Sequence, residues 1–173
     1  MFIEMKKQRF DFSIGKAKFW LRFDIQAFYN IEDSGYAPFD IISQCDDPKA
    51  VRCFLKNGLA DWYNELEYDE NDIDEYVNRL MSVEGFQKEL VAYIQAAIML
   101  ALPQVEMGNR RTQSKNSASN ILGLMSVFVD VLGASKEEFM SSTIREASDR
   151  WERYAVSMGY KKPVEQFSKY DDD

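Results

Sequence analysis

The feature that most constrains this fold is an apolar stretch near the middle of the chain, LVAYIQAAIMLAL, at residues 90–102. Apart from Gln95 it consists of apolar and aromatic residues. It is too short to cross the hydrocarbon core of a bilayer, which needs about 20 residues. A helix that is apolar on every side must be buried within the protein. We therefore predict a central helix buried all round, in a protein that does not span a membrane.

The N-terminal stretch RFDFSIGKAKFWLRFD, residues 9–24, alternates between apolar and polar residues on both sides of Gly15. Alternation with a period of two predicts a β-hairpin with one apolar face. The other face carries basic side chains, with Trp20 and Arg22 among them, and we expect Trp20 to be partly exposed there. Because an isolated hairpin is only marginally stable, this one should pack on helices.

Helical spacing and capping signals account for most of the remaining chain. Asp24 and Asp47 are typical N-cap residues, and the second is followed by proline at the first helical position. Gly58 lies inside the helix that begins after Asp47 and indicates a close packing contact. Trp62, on the apolar stripe of the same helix, and Trp151, in the last helix, are predicted core residues.

Two helix starts lie close together in LGASKEEFMSSTIREASDRW, residues 132–151. Each matches a capping box, in which a hydroxyl and a glutamate cap backbone N–H groups reciprocally. The two boxes are Ser135 with Glu138 and Thr143 with Glu146. The pattern predicts a helical corner, in which a short first turn buries Phe139 and a longer amphipathic helix follows.

These patterns predict a mainly α fold with a small N-terminal β-hairpin, an α+β arrangement of a helical bundle plus a short helical C-terminal module. A polar stretch rich in Ser, Asn and Gln without hydrophobic periodicity is the predicted linker. The predicted boundaries are 1–102 for the hairpin and helical domain, 103–120 for the linker, 121–163 for the C-terminal module and 164–173 for an acidic tail.

The residue inventory excludes several kinds of chemistry. The chain has no histidine, which removes Ser-His and Cys-His catalysis and histidine-ligated metal sites. Its two cysteines, Cys45 and Cys53, cannot form a four-thiolate zinc site, and we expect both to be buried free thiols. The sequence also lacks a glycine-rich phosphate loop and a nucleophile elbow. We therefore expect a protein that is not an enzyme and needs no cofactor.

The charge pattern restricts the class of partner. Residues 61–75 carry eight acidic side chains and no basic one, in a chain of net charge −8. An EF-hand does not fit, because Asp74 and Leu80 stand where glycine and glutamate are required. The acidic balance argues against nucleic-acid binding. We favour a solvated acidic connection, and the alternative is an acidic inhibitor or nucleic-acid mimic that acts on a basic partner.

Two stretches of the chain resemble a known family. The first stretch spans residues 18–62 and reads KFWLRFDIQAFYNIEDSGYAPFDIISQCDDPKAVRCFLKNGLADW. It has a strand ending in Leu-x-Phe-Asp, a helix closing on Glu-x-x-Gly, and a helix opening near Asp-Pro and ending in Leu-x-x-Gly-Leu. The second, VLGASKEEFMSSTIREASDRWERY at 131–154, has a helix ending in Leu-Gly, a Glu-Phe pair, and a threonine that opens a helix. In this order they are similar to the two modules of tail assembly chaperones from long-tailed phages and gene-transfer particles.

The resemblance implies a non-enzymatic chaperone that binds the tape-measure protein, keeps its hydrophobic helical segments from aggregating and helps to recruit tail-tube subunits. It also implies action in the host cytoplasm and absence from the finished virion, and the lack of a signal-peptide pattern agrees with a soluble cytoplasmic protein. Contact between the basic hairpin and the acidic middle would allow self-association. Because aromatic and arginine side chains are enriched at interfaces, we predict partner contacts at Trp20, Arg22, Tyr63 and Tyr76.

Overall fold

The structure is a computed structural model that describes residues 8–66, 71–103 and 125–160. The predicted linker, apart from Pro103, and the predicted acidic tail lie outside these residues. Part of the acidic stretch, at 67–70, lies outside them as well.

A short hairpin precedes a series of helices. The strands are β1 (Phe10–Ile14) and β2 (Ala17–Leu21). The α-helices are α1 (Ile25–Asp33), α2 (Pro48–Asn64), α3 (Ile73–Ser82), α4 (Gln87–Ala101), α5 (Lys136–Met140) and α6 (Ile144–Ser157). A 3₁₀ turn lies at Ile42–Gln44 and a π-helical segment at Val127–Val131. The prediction of a mainly α fold with a small N-terminal hairpin is confirmed.

The hairpin packs its apolar face on α2, as its alternation predicts. The strands are antiparallel, with Phe12 opposite Phe19, and Gly15 adopts the left-handed conformation that the turn requires. The rings of Phe12 and Phe19 stack with centroids 5.5 Å apart. Phe19 in turn lies 4.8 Å from Trp62 on α2, between ring centroids. Trp62 is 8% exposed, which confirms its predicted place in the core.

The other face of the hairpin is only partly the exposed basic surface that the sequence predicts, since Lys16 and Lys18 are exposed but Trp20 and Arg22 are not. Trp20 is only 7% exposed, so the expectation of partial exposure is wrong. The guanidinium of Arg9 lies over its ring, 5.2 Å from the centroid. Beyond the strand, Arg22 is also buried, because it binds Glu146 of α6, 124 positions later in the chain. Strand alternation predicts which side chains share a face of the hairpin, but it carries no information about what covers that face.

Helix α4 is central, but it is not buried on every side. Its inner stripe, which includes Leu90, Ile94 and Ile98, has no exposed surface. Met99, however, is 59% exposed, and Ala92, two turns earlier on the same side, is exposed as well. The prediction of all-round burial is therefore wrong. Among the described residues, α4 contacts the hairpin, α2 and α6, and these neighbours leave one side of the helix uncovered.

A second, smaller hydrophobic cluster joins α1 to the C-terminal helices. It contains Ile25, Phe128, Ala134, Phe139 and Ala147. The rings of Phe128 and Phe139 lie 5.3 Å apart between centroids, and Phe139 has no exposed surface, which confirms its predicted burial. Ile144 contacts both clusters, so the C-terminal helices pack directly on the N-terminal part. The domain boundaries stay a prediction, because residues 104–124 are not described.

Trp151 departs from its predicted place in the core. It is only partly buried, and it stacks on Tyr154 with ring centroids 5.8 Å apart. The fully buried residues of α6 are the small ones, Ala147 and Ala155. Small side chains allow α6 to approach its neighbours closely, and the large indole lies at the edge of that contact.

The helical corner forms as predicted, with one difference between its two caps. The hydroxyl of Thr143 accepts from the Glu146 N–H at 3.1 Å, and the Glu146 carboxylate accepts from the Thr143 N–H at 2.8 Å, a complete capping box. Ser135 accepts from the Glu138 N–H at 3.0 Å. The Glu138 carboxylate pairs instead with Arg150, so the first box is only half formed.

We predict unequal effects from removing the two hydroxyls. Thr143→Ala should lower the free energy of unfolding by about 2 kcal/mol, and Ser135→Ala by about 1 kcal/mol. The difference arises because Thr143 is fully buried within a complete box, whereas Ser135 is exposed. Urea denaturation followed by circular dichroism measures both values. Equal losses in the two variants would contradict this account of the corner.

We also predict that Gly58→Ala destabilises the protein, although alanine favours helices. A β-carbon at this position would lie 2.8 Å from Cζ of Phe23 and 3.1 Å from Cδ2 of Leu21. Overpacking of about 1–3 kcal/mol should outweigh the gain in helix propensity of about 1 kcal/mol. Asn64→Ala, at the exposed end of the same helix, is the control and should change the urea midpoint very little. A raised midpoint for Gly58→Ala would refute the close contact.

Candidate functional site

Arg22, which follows β2 directly, joins three parts of the chain. Its side chain is 4% exposed. Nη1 donates to Oδ2 of Asp61 on α2 at 2.8 Å, while Nη2 donates to Oε2 of Glu146 at 2.9 Å and to the Ser141 carbonyl at 3.0 Å. The planar guanidinium has several N–H donors in fixed directions and can bind these three acceptors together, whereas the single ammonium of a lysine lacks this geometry. The predicted partner contact at Arg22 is thus engaged inside the fold, and any role in binding stays a prediction.

The break between α5 and α6 supplies acceptors for this junction. The last carbonyls of a helix have no partner within it, and a break in a helix therefore leaves such groups available. Here the Ser141 carbonyl accepts from Arg22, and the Ser142 carbonyl accepts from the backbone N–H of Ile25 at 2.9 Å. Oε2 of Glu146 serves both the capping box and the ion pair. The corner therefore fixes the N-terminus of α1 as well as its own second helix.

An apolar cleft lies between α1 and the C-terminal helices that the corner holds in place. Its volume is about 460 Å³, within the range of ligand clefts, about 300–1,000 Å³. Phe28 and Phe139 line it and are almost fully buried. Tyr29, Met125 and Met140 also line it, and Tyr29 is 58% exposed. Methionine side chains are flexible and polarisable, so these walls suit an adaptable apolar contact.

Two opposite charges lie at this cleft. Glu32 belongs to the last turn of α1, and Lys136 is the first residue of α5. Both side chains are exposed, and neither forms an ion pair with another residue of the described ranges. The cleft is therefore an apolar surface with an acid and a base at its margin.

Tyr63 and Tyr76, two further predicted contacts, lie together on α2 and α3. The ring of Tyr76 meets Trp62 edge-on, 5.0 Å between centroids, and Tyr63 at 6.4 Å. The hydroxyl of Tyr63 donates to the Asn71 carbonyl at 2.9 Å. Both tyrosines are partly buried and hold α2 against α3. Their role in binding a partner stays a prediction, as does that of the buried Trp20.

The described part of the acidic stretch is largely engaged with cations of the same chain. Asp61 binds Arg22. Asp74 lies 2.8 Å from the Lys56 ammonium and 3.6 Å from the Arg52 guanidinium. These acids therefore do not form one free negative face. Among the described ranges, no group of three or more Cys, Asp or Glu side chains is placed to hold a metal ion.

The segment between α1 and α2 contains two groups with shifted pKa values. Burial raises the pKa of Tyr36, and the nearby Asp47 carboxylate adds to this rise. The pKa of Asp40 is lowered, because its carboxylate accepts a hydrogen bond from the backbone N–H of Ser43 at 3.1 Å. Neither group lines the cleft. Cys45 and Cys53 are free thiols, as predicted, but both are only partly buried.

The sequence did not predict this cleft, because its walls come from positions about a hundred residues apart. One signal was present. Tyr29 lies off the apolar stripe of α1, which Ile25, Phe28 and Ile31 form, so its ring was not needed for the core. Comparison of the chain with protein-family models, curated proteins and solved structures found no match. Within the described ranges, no helix is both long and apolar enough to traverse a bilayer.

We predict that Arg22→Met lowers the free energy of unfolding by about 2–4 kcal/mol. The variant leaves the carboxylates of Asp61 and Glu146 without their cation, and breaking a buried pair in this way costs about 3–5 kcal/mol. The lower range applies because these carboxylates retain some solvent contact. Adding Asp61→Asn and Glu146→Gln should recover part of the loss in urea denaturation. A loss below about 1 kcal/mol for Arg22→Met would contradict the junction.

Proposed function

We propose that this protein is a tail assembly chaperone of the kind found in long-tailed phages and gene-transfer particles. In this role it binds the tape-measure protein, keeps the apolar helical segments of that client from aggregating, and helps to recruit tail-tube subunits. It acts in the host cytoplasm and leaves before the tail is complete. Self-association around the client is part of the same proposal.

One observation carries the proposal: the two stretches that resemble the chaperone modules supply facing walls of the apolar cleft. Residues 18–62 contribute Phe28 and Tyr29, and residues 131–154 contribute Phe139 and Met140. An amphipathic helix that lays its apolar face into such a groove is a common mode of protein recognition. A client with long apolar helices is therefore a chemically suitable occupant.

The acidic-inhibitor function has weaker support. A mimic of nucleic acid needs a continuous negative face that is free to meet a basic partner. Asp61 and Asp74 are both paired with cations of the same chain. Glu75 lies 3.9 Å from the Arg79 guanidinium, on the same helix. We therefore prefer the chaperone function.

Co-expression tests the proposal directly. The proposal predicts that a gene for a long helical protein lies beside the gene for this chain. The two proteins are produced together, and the soluble fraction of the long helical protein is measured after ultracentrifugation. We expect the soluble fraction to rise several-fold, because covered apolar helices cannot aggregate with one another. An unrelated, aggregation-prone helical protein is the control and should not respond. If the neighbouring protein stays equally insoluble with and without the chain, the proposal is wrong.

A further inference from the structure

We propose that the cleft between α1 and α5 is the client-binding site, and that it accepts a single amphipathic helix. The apolar face of this helix enters the cleft, with a basic residue directed to Glu32 and an acidic residue directed to Lys136. This inference rests on the proposed function and deepens it, because it names the surface and the chemistry of the segment that the surface accepts.

The cleft combines a fixed apolar base with an adaptable rim. Phe28 and Phe139 are 1% and 0% exposed, so they belong to the packed core and cannot close the cleft by moving. Tyr29 is 58% exposed, and Met125 and Met140 are partly buried. Covering such side chains removes apolar surface from water, at about 25 cal/mol for each Å². A volume of about 460 Å³ matches a few side chains of one helix face rather than a folded domain.

The two charges at the cleft give it a preference for one charge pattern on a bound helix. Glu32 lies near the C-terminal end of α1, where a negative charge opposes the helix dipole, and the last turn of α1 holds no basic residue that would offset it. Lys136 is the first residue of α5, and a positive charge at the N-terminus of a helix opposes the helix dipole. Neither charge has an ion-pair partner in the described ranges. Complementary charges on a bound helix would satisfy both and fix its orientation.

The test uses three designed helical peptides with the same leucine and methionine face. Peptide KE carries lysines along one edge of this face and glutamates along the other, peptide KK carries lysines along both edges, and peptide EE carries glutamates along both. Fluorescence anisotropy measures their affinity for the full chain. We expect the wild type to bind KE about three- to fivefold more tightly than KK or EE, the range of one or two exposed ion pairs.

Charge reversal in the cleft should change this preference. Glu32→Lys makes both cleft charges positive and should favour EE, whereas Lys136→Glu makes both negative and should favour KK. Each reversal agrees better with its helix dipole than the native residue does, so folding should be preserved, as circular dichroism can check. Matched controls are Glu84→Lys and Lys16→Glu, exposed reversals with the same change in net charge outside the cleft lining, which should still prefer KE. Equal shifts in the cleft and control variants would overturn the proposal.

A second comparison tests the apolar contact. Tyr29→Ser should weaken KE binding about tenfold, since an aromatic side chain at the centre of a contact often contributes more than 1 kcal/mol. Tyr160→Ser removes a tyrosine that is 68% exposed and does not line the cleft, and it should bind as the wild type does. Equal affinities for the two variants would overturn the proposal. A second outcome would also overturn the proposal: the wild type forms a dimer that binds none of the three peptides, and Tyr29→Ser dissociates this dimer. The occupant of the cleft would then be a second copy of the chain.

Co-expression of Tyr29→Ser with the neighbouring helical protein separates the two proposals. If the wild type solubilises that protein and Tyr29→Ser does not, both the function and the site are supported. If both solubilise it equally, the chaperone function stands and the cleft is not the site. If neither does, the proposed function is wrong, while the peptide measurements still decide whether the cleft accepts an amphipathic helix.

Discussion

The buried guanidinium of Arg22 is the interaction on which the rest of this structure depends. Removing a cation from water is costly, and the cost is offset only when every nearby donor finds a well-placed acceptor. Two carboxylates and one carbonyl, from α2 and from the α5–α6 corner, accept three hydrogen bonds from the Nη1 and Nη2 atoms and so offset much of this cost. An arrangement that lacked any of these acceptors would leave part of the charge unsatisfied. The junction therefore acts chiefly by selecting one relative position of the hairpin, α2 and the C-terminal helices.

The closely spaced helix starts at 135 and 143 gain a physical explanation from this junction. A continuous helix would bond its own carbonyls internally, whereas the break frees those of Ser141 and Ser142 for Arg22 and for the first residue of α1. The second capping box places Glu146 where its carboxylate can serve the backbone and the guanidinium together. The same few atoms thus cap one helix, end the other and bind the N-terminal part of the chain. The cleft beside α1 is formed in part by the residues of this corner.

The proposed chaperone function is supported by the apolar surface that this arrangement leaves uncovered. Phe28 and Phe139 are sealed into the core, yet Tyr29 and the two methionines beside them remain accessible to a partner. A rigid base gives a binding surface a defined shape, and flexible methionine side chains let it fit more than one apolar sequence. Such a surface suits a client made of long helices whose apolar residues vary along its length. In the proposed contact, the opposite charges beside the cleft would set an orientation that apolar burial alone would leave unspecific.

The features that the sequence predicts correctly are mostly those whose deciding forces act over a few residues. Alternation predicts the hairpin, Asp24 and Asp47 cap α1 and α2 as expected, and Thr143 forms its full capping box. Gly58 also meets the close contact that its place inside a helix indicates. The hairpin and the caps depend on backbone hydrogen bonds or on side-chain periodicity within one element, and both are readable in the order of residues. The Gly58 contact is different, since its partners Phe23 and Leu21 lie outside α2.

The tertiary structure alone decided which faces are covered. Trp20 is buried although it lies among basic residues, Trp151 lies at an edge, and α4 keeps one exposed side at Met99. The cleft has the same origin, since α1 and α5 are more than a hundred positions apart. The amino-acid sequence by itself determined the elements, their caps and their apolar stripes. The burial of a side chain depends on the neighbours that long-range packing brings to it. The surface available to a partner is therefore defined by the distant segments that meet around Arg22.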